Sequence, residues 1–158
     1  KIGSNTAVEW PVGVGAKGND GVAANVGQTK NSIGYVEYAY ARQNKMTHVD
    51  MINKAGKRVA PTLAAFQAAA ANADWVNAPG YYLILSNQPG EASWPMTAAT
   101  FILMYAAPAD KAASTEALKF FDWAFRNGDK MAEELDYIPM PANVKDMIRK
   151  TWVADIKS

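Results

Sequence analysis

The sequence predicts an α/β fold, because strand-like apolar segments precede a region whose apolar residues repeat at helical spacing. Residues 81–88 (YYLILSNQ) and 97–105 (TAATFILMY) are short apolar runs, which suit strands buried on both faces. From residue 111 onward the apolar positions recur every three or four residues: Ala117, Leu118, Phe121, Ala124 and Phe125. We therefore predict a mixed α/β first part followed by a mostly helical end.

The sequence of the first part of the chain predicts a strand, a helix and a second strand, in that order. Residues 6–12 (TAVEWPV) have the composition of a short extended segment, and a glycine-rich turn follows them. Asn19 or Asp20 is the predicted N-cap of a short helix over residues 21–28, since both side chains accept hydrogen bonds from free helical N–H groups. Residues 32–40 (SIGYVEYAY) are the predicted second strand.

Turns and a short helix fill the middle of the chain. Residues 47–60 are predicted to be an irregular segment with turns at NKAGK. Pro61 then precedes a predicted alanine-rich helix over residues 62–71. The two apolar strand candidates follow, separated by a Pro-Gly turn. The predicted seam between the two parts of the chain is residues 87–95 (NQPGEASWP).

Three helices are predicted in the last third of the chain. The first begins after Asp110, a candidate N-cap, and stops at Gly128. A short helix over residues 130–135 comes next, and the last helix follows Pro139 and Pro141. Its apolar residues share one face: Val144, Met147, Ile148, Trp152 and Ile156.

Composition excludes several function classes. The chain has 158 residues, 49% of them hydrophobic, and a formal net charge of +1, so no long-range field attracts nucleic acid or an anionic membrane. It has no cysteine, which removes disulfides, thiolate nucleophiles and sulfur metal sites. The longest uncharged run, residues 92–109, is interrupted by Ser, Thr and Pro and is a poor bilayer span. We expect no membrane insertion, and any signal peptide lies outside this sequence.

One motif raises the question of a phosphate site. Gly13, Gly15 and Gly18 match Gly-x-Gly-x-x-Gly, and Glu37 follows at a distance typical of the dinucleotide-binding fingerprint. That fingerprint needs a helix that starts within the glycines, whereas the predicted caps here follow the third glycine. A structural turn is therefore the favoured interpretation, and a nucleotide-binding oxidoreductase is the alternative.

The other reactive residue types predict no catalytic and no metal site. His48 is the only histidine and has no carboxylate cluster at metal-ligand spacing, so a solvated turn residue is the expectation. Glu133, Glu134 and Asp136 crowd one short helix, which is typical of an exposed face. The serines and threonines lack an activating base, and the five tryptophans are expected to pack in the core or between lobes.

Five segments together resemble one protein family. They are residues 6–26, 32–45, 87–104, 117–141 and 148–152, and within them IGYVEYAYA and LKFFDWA are specific. These strings are similar to those of the substrate-binding protein of the bacterial high-affinity phosphate ABC transporter. The resemblance covers nearly the whole sequence in order, but it corresponds only to the C-terminal half of the family's longer chain. Ala142 and Asn143 stand where the family commonly has an acidic or serine cap.

The resemblance implies the two-lobed fold of the type II periplasmic binding proteins. Residues 1–93 would then be the later part of the second lobe, and residues 94–158 would return through the hinge to complete the first. The implied hinge or inter-lobe candidates are Gln88, Pro89, Trp94, Pro95 and Thr97.

The phosphate ligands that the resemblance implies lie on loops before the position matching Lys1. No phosphate-binding residue is therefore assigned on this chain, and the GSNT string at residues 3–6 is not one.

The resemblance implies a periplasmic receptor that captures inorganic phosphate and delivers it to a membrane permease. It implies no enzymatic activity, no cofactor and no nucleic-acid partner. This chain would supply scaffold and hinge return, with the ligands in an absent N-terminal half. The alternative from another class is a truncated or proteolysed fragment that serves as a structural or interaction domain without ligand.

Overall fold

A computed structural model describes residues 2–3 and 7–157 of the chain. The described residues form two units, whose boundary lies between residues 47 and 48. The first unit contains two helices, α1 (Gly18–Gln28) and α2 (Tyr38–Gln43). The second contains a two-stranded sheet, four α-helices and one 3₁₀ turn at Pro79–Tyr81. Its strands and helices are β1 (Met51–Ile52), β2 (Arg58–Val59), α3 (Leu63–Ala71), α4 (Lys111–Asn127), α5 (Asp129–Glu134) and α6 (Ala142–Asp155).

Helix α1 begins three residues earlier than predicted. Its first residue is Gly18 and its N-cap is Lys17, with no side-chain cap hydrogen bond. The prediction that Asn19 or Asp20 caps the helix is therefore wrong. Both residues lie in the first turn, where the Asp20 carboxylate suits the positive end of the helix dipole. The Asn19 Oδ1 accepts a hydrogen bond from the Glu37 N–H at 2.9 Å.

The predicted strand over residues 32–40 is also wrong. Residues 38–43 form α2, and the preceding segment runs close to α1 without strand pairing. A Cβ placed on Gly34 would lie 2.7 Å from Val26 Cγ2, so only glycine fits this close approach. The strand, helix, strand unit is consequently absent from the described part of the first unit, because neither flanking segment has a ladder partner there.

The segment over residues 47–60, predicted to be irregular with turns, contains a small antiparallel hairpin. Met51 pairs with Val59 and Ile52 with Arg58. Gly56 has a φ of +74° in the turn, a conformation that glycine adopts without steric cost. The NKAGK turn signal is thus confirmed.

The helices of the second unit match their local sequence signals. The Thr62 hydroxyl accepts from the Ala65 N–H at 3.2 Å and caps α3, and the Asp110 carboxylate accepts from the Ala113 N–H at 2.9 Å and caps α4. Helix α4 ends at Gly128, as predicted. Helix α6 begins after Pro141 without a side-chain cap.

The core of the second unit joins the α3–α4 connection to α6. Trp75, Leu85 and Val144 are buried together, and partly buried residues surround them: Ala73, Tyr81, Leu83, Ala99, Met140, Met147 and Ile148. The Trp75 indole N–H donates to the Ala70 carbonyl at 2.7 Å, which satisfies a polar group that burial removes from water. The apolar face predicted for α6 therefore enters the core through its first half.

The strand predictions over residues 6–12, 81–88 and 97–105 are wrong, because none of the described residues in these runs forms a strand. Residue 6 lies outside the described residues. The pattern that motivated them is still visible, since burial alternates from Tyr81 to Leu85. Leu103, in the third run, is 92% exposed. A strand requires a neighbouring ladder, and no described segment supplies one to these runs.

A buried ammonium joins three helices of the second unit. The Lys145 side chain on α6 is 7% exposed and pairs with the Asp129 carboxylate at the start of α5. Its Nζ also donates to the Phe125 carbonyl at 3.1 Å, near the C-terminus of α4, and lies 5.9 Å from the Phe125 ring centroid. A cation at a helix C-terminus is favourable, so Lys145 stabilises the α4–α5 junction.

We predict that Asp129→Ala lowers the free energy of unfolding by about 1–3 kcal/mol, because it leaves the buried Lys145 ammonium without its anion. Lys145→Met is expected to cost less, since it retains the packing and removes the charge that needs a partner. Urea unfolding followed by circular dichroism measures both values. Lys130→Ala on the exposed side of α5 is the matched control, and an equal effect of Asp129→Ala and the control would contradict the prediction.

Candidate functional site

The glycine-rich turn has one feature of a phosphate site that the sequence did not predict. Helix α1 starts at Gly18, the third glycine of the motif, so its free N–H groups adjoin the turn. Gly13 and Gly18 have φ values of +112° and +66°, which only glycine adopts without strain. The expectation that the helix starts beyond the motif is therefore wrong.

The remaining context of a dinucleotide site is missing from the described residues. No strand precedes the turn there, although the fingerprint places its glycines at the end of a buried strand. Glu37, predicted to lie mid-strand, is instead the N-cap residue of α2. Its backbone N–H donates to the Asn19 side chain, so Glu37 contacts the start of α1 through a hydrogen bond that stabilises the fold.

A shallow groove of about 460 Å³ lies between α1 and α2 in the first unit. Asp20, Gln28 and Tyr40 are among its lining residues, together with Ala23 and Met46. Its single described acidic group repels anions, and it holds no cationic side chain. The groove is thus unsuited to phosphate.

The other residues considered for chemistry lie apart. His48 is exposed near the start of the second unit, whereas Glu133 and Glu134 lie on the exposed side of α5. Glu134 pairs with Lys130 at 3.8 Å. Within residues 2–3 and 7–157, no three His, Asp or Glu side chains gather into a potential metal site. No helix in the same ranges combines the length and apolarity needed to cross a bilayer.

The five hinge candidates lie in residues 87–97, a segment that hydrogen bonds and ring contacts attach to the rest of the second unit. The Trp94 N–H donates to the Ala65 carbonyl of α3 at 3.0 Å, and the Asn87 N–H donates to the Pro95 carbonyl at 2.8 Å. Trp94 is buried and contacts the Phe66 ring at a centroid distance of 5.9 Å. Three hydrogen bonds are local to the segment. The Gln88 amide donates to the Ile84 carbonyl, the Ser93 hydroxyl donates to the Pro89 carbonyl, and the Thr97 hydroxyl donates to the Trp94 carbonyl.

Asn53 is the residue that fixes this segment, and sequence reasoning missed it. Its Nδ2 lies 3.2, 2.8 and 3.2 Å from the carbonyl oxygens of Gly90, Glu91 and Ser93. Its Oδ1 accepts from the N–H groups of Ala55 and Lys57, both at 3.0 Å. An asparagine ahead of a Gly-containing turn was the available signal, since its side chain can imitate backbone in such turns.

Ser93 and Gly90 also fix the position of this segment. The fully buried Ser93 hydroxyl donates to the Pro89 carbonyl at 2.6 Å and accepts from the Asn72 amide at 3.2 Å. Gly90 has a φ of +108°, and a Cβ there would overlap Asn72 Nδ2 and the Ser93 hydroxyl, so the segment needs glycine at this position. Ser93 is therefore a structural serine with its hydrogen bonds satisfied.

We predict that Asn53→Ala lowers the free energy of unfolding by about 2–3 kcal/mol, because five backbone groups, one of them on the buried Ser93, lose their partner at once. Proteolysis within residues 87–95 should accelerate in the same variant. Denaturant unfolding and timed digestion measure the two effects. Lys54→Ala, an exposed neighbour in the same turn, is the control, and an Asn53→Ala protein as stable as this control would refute the assignment.

The strongest electrostatic cluster joins α4 to α6. The Arg149 Nε lies 2.8 Å from Asp122 Oδ1, and the Arg126 Nε lies 2.8 Å from Asp122 Oδ2. Hydrogen bonding from Arg149, with a further contribution from Arg126, holds the pKa of Asp122 below the usual range of an aspartate. The same ion pair raises the pKa of Arg149. This cluster is a structural ion-pair network, because both arginines already have a carboxylate partner.

A lowered pKa in the folded state makes the Asp122 contribution dependent on pH. The ionised carboxylate stabilises the fold above the unfolded pKa of about 4, and this contribution is lost as pH falls through the lower folded pKa. We predict that Asp122→Asn reduces the loss of stability between neutral and strongly acidic pH. Unfolding free energies measured at several pH values test this, with Asp155→Asn as control. An unchanged acid dependence would contradict it.

The tryptophans divide into two groups. Trp75 and Trp94 are buried, and Trp152 on α6 stacks on Phe125 of α4 with the ring centroids 5.4 Å apart. Trp10 and Trp123 are exposed. The prediction of core packing thus holds for the first group only.

Comparison with known proteins gives relatives along the whole sequence. The chain is 50% identical over 157 residues to the phosphate-binding protein PstS of Xylella fastidiosa strain 9a5c, covering 99% of this chain and 43% of that protein. It is 50% identical over 158 residues to PstS of Pasteurella multocida, covering 46% of that protein, and 46% identical to PstS of Haemophilus influenzae, covering 47%. No protein-family model matches the chain.

The predicted resemblance to phosphate-binding proteins is therefore confirmed. The chain spans less than half the length of these curated relatives. This share agrees with a match to one half of the longer proteins.

Proposed function

We propose that this chain is the C-terminal half of a periplasmic phosphate-binding protein, the receptor of a bacterial phosphate ABC transporter. The observation that carries the proposal is identity of 46–50% across 99% of the chain to proteins named for phosphate binding. In this function the parent protein captures inorganic phosphate without catalysis and delivers it to a membrane permease. The half described here supplies scaffold and the return through the hinge.

The charges of the second unit support a phosphate site located elsewhere in the parent protein. A phosphate receptor needs a guanidinium or several N–H and O–H donors that are free to face the anion. In the second unit, Arg58 pairs with Asp50, whereas Arg126 and Arg149 share Asp122. The buried Lys145 pairs with Asp129. These four cations are already neutralised, which supports the assignment of the phosphate ligands to the other half of the parent protein.

The exposed strand-like runs support the two-lobed arrangement. Isolated extended segments with apolar side chains are costly in water and become stable when they join a sheet. Residues 81–85 keep the burial alternation of a strand, and 101–105 keep its apolar composition. In this proposal residues 1–93 belong to the second lobe and 94–158 to the first, so the core of Trp75, Leu85 and Val144 joins the two lobes. Strands from the other half pair with the exposed runs.

We predict that the isolated chain does not bind phosphate, because it lacks the ligands, whereas the complete gene product does. Titration calorimetry with phosphate on both proteins tests this, and sulfate is the matched anion control. Mixing the chain with the separately produced remainder should restore binding of phosphate but not of sulfate.

Two outcomes separate this proposal from its alternatives. Tight phosphate binding by the isolated chain would contradict the assignment of the ligands to the other half. A 17.1 kDa species alone in native mass spectrometry of the purified natural protein would instead favour a fragment without ligand, since the calculated mass of this chain is 17.1 kDa. The nucleotide alternative requires binding of a dinucleotide that Gly15→Ala abolishes.

A further inference from the structure

Asn127 and Gly128 form the one Asn-Gly pair in the sequence, and they lie where α4 ends and α5 begins. The backbone nitrogen that follows an asparagine can attack the side-chain amide carbon of that asparagine. Glycine leaves this nitrogen the least shielded, because it has no Cβ. Asn127 is also exposed, so water reaches its amide. The pair therefore has the composition and the exposure of a deamidation site.

The end of α4 uses both residues for structural reasons. A Cβ on Gly128 would lie 2.6 Å from the Ala124 carbonyl oxygen, so a larger residue would displace the backbone there. The Asn127 amide donates to the Trp123 carbonyl at 2.9 Å, which satisfies one of the free acceptors at a helix C-terminus. The reactive pair is thus a consequence of how this helix ends.

Two hydrogen bonds hold the reacting groups apart in the folded chain. The Gly128 N–H donates to the Ala124 carbonyl at 2.8 Å, and the Asn127 Nδ2 donates to the Trp123 carbonyl. Attack requires the Gly128 nitrogen to turn toward the Asn127 Cγ and to lose its proton, so the first of these bonds must break. The Asn127 amide must also rotate away from its acceptor. Ring closure therefore requires the last turn of α4 to open.

Lys145 opposes this opening. Its Nζ donates to the Phe125 carbonyl in the same last turn and pairs with Asp129, the first residue of α5. Opening the junction between α4 and α5 would take an acceptor and an anion from a buried ammonium, which is costly. The reaction rate then follows the small population of molecules in which the junction is open.

We propose that Asn127 is a deamidation site that reacts only when the α4–α5 junction opens. The Gly128 nitrogen attacks the Asn127 Cγ, so that a C–N bond forms and the Cγ–Nδ2 bond breaks. Nδ2 leaves as ammonia with the proton of the Gly128 nitrogen, and a cyclic imide remains. Water is the co-reactant of the second step, in which it opens either C–N bond of the imide and gives aspartate or isoaspartate. This inference is independent of the proposed function, because it involves no phosphate.

Either product weakens the junction. A carboxylate at position 127 cannot donate to the Trp123 carbonyl, and its negative charge lies at the negative end of the α4 dipole. Asp129, two residues later, adds a like charge. Isoaspartate also lengthens the main chain between the two helices. A molecule that has reacted while open is therefore less able to close again.

Peptide mapping of the complete gene product by mass spectrometry tests the proposal. The protein is aged at mildly alkaline pH in native buffer and in guanidinium chloride, and the converted fraction of Asn127 is followed. Asn77 is the internal control, because it is exposed and precedes alanine. We expect Asn127 to react faster than Asn77 in denaturant, and at least about tenfold more slowly in native buffer than in denaturant. Asn127→Gln keeps an amide donor and should not convert.

Two variants relate the rate to the junction. Asp129→Ala removes the anion of Lys145 and should raise the rate at Asn127 in native buffer at least about fivefold, whereas Lys130→Ala should leave it unchanged. In denaturant both variants should react as fast as the unsubstituted protein, which excludes a direct effect of the neighbouring carboxylate. Circular dichroism checks that Asp129→Ala folds. If it does not, the comparison of native buffer with denaturant decides the test.

Three results would overturn the proposal. Equal rates in native buffer and in denaturant would show that the fold gives no protection. Conversion of Asn127 no faster than that of Asn77 in denaturant would remove the site. A folded Asp129→Ala protein that ages like the unsubstituted protein would show that the junction does not control the reaction.

Discussion

The contacts of α6 support most of the second unit. Its first turns place Val144 in the core beside Trp75 and Leu85, and place the Lys145 ammonium at the junction of α4 and α5. One turn later Arg149 binds Asp122, and Trp152 stacks on Phe125. A buried ammonium must have an anion and acceptors near it, so the position of α5 follows from that of α6. Helix α4 is thereby held along one side and left open along the other.

The helices of the second unit could be predicted from the sequence because their signals are local, whereas α2 was predicted as a strand. Asp110 caps α4 through the Ala113 N–H, Thr62 caps α3, and Gly128 ends α4, all within one turn of the residue concerned. The strands could not be predicted in the same way. An apolar run such as residues 97–105 indicates a buried partner but not whether that partner lies in the same chain. Burial alternates at residues 81–85, but the run forms no strand because no described segment pairs with it.

The candidate sites could be predicted from the sequence less completely than the helices of the second unit. The glycine motif was found at once, but its helix start was misplaced, because a helix without a side-chain cap gives no sequence signal at its first residue. The hinge candidates were located by resemblance, whereas Asn53 lies 37 to 40 residues before the carbonyl groups that it binds in their segment. Such long-range side-chain to backbone bonds follow from the fold and from no local spacing.

The paired arginines of the second unit agree with the proposal that the phosphate ligands lie in the other half of the parent protein. A hydrogen phosphate ion loses its water only when preorganised donors replace that water from several directions. Arg58, Arg126 and Arg149 are each committed to a carboxylate, so they serve the fold and not an anion. At the same time the Phe120 and Trp123 rings lie exposed on a helix otherwise well anchored. Arginines that are already paired and rings exposed on an anchored helix both agree with the proposal that this chain is one half of a longer phosphate receptor.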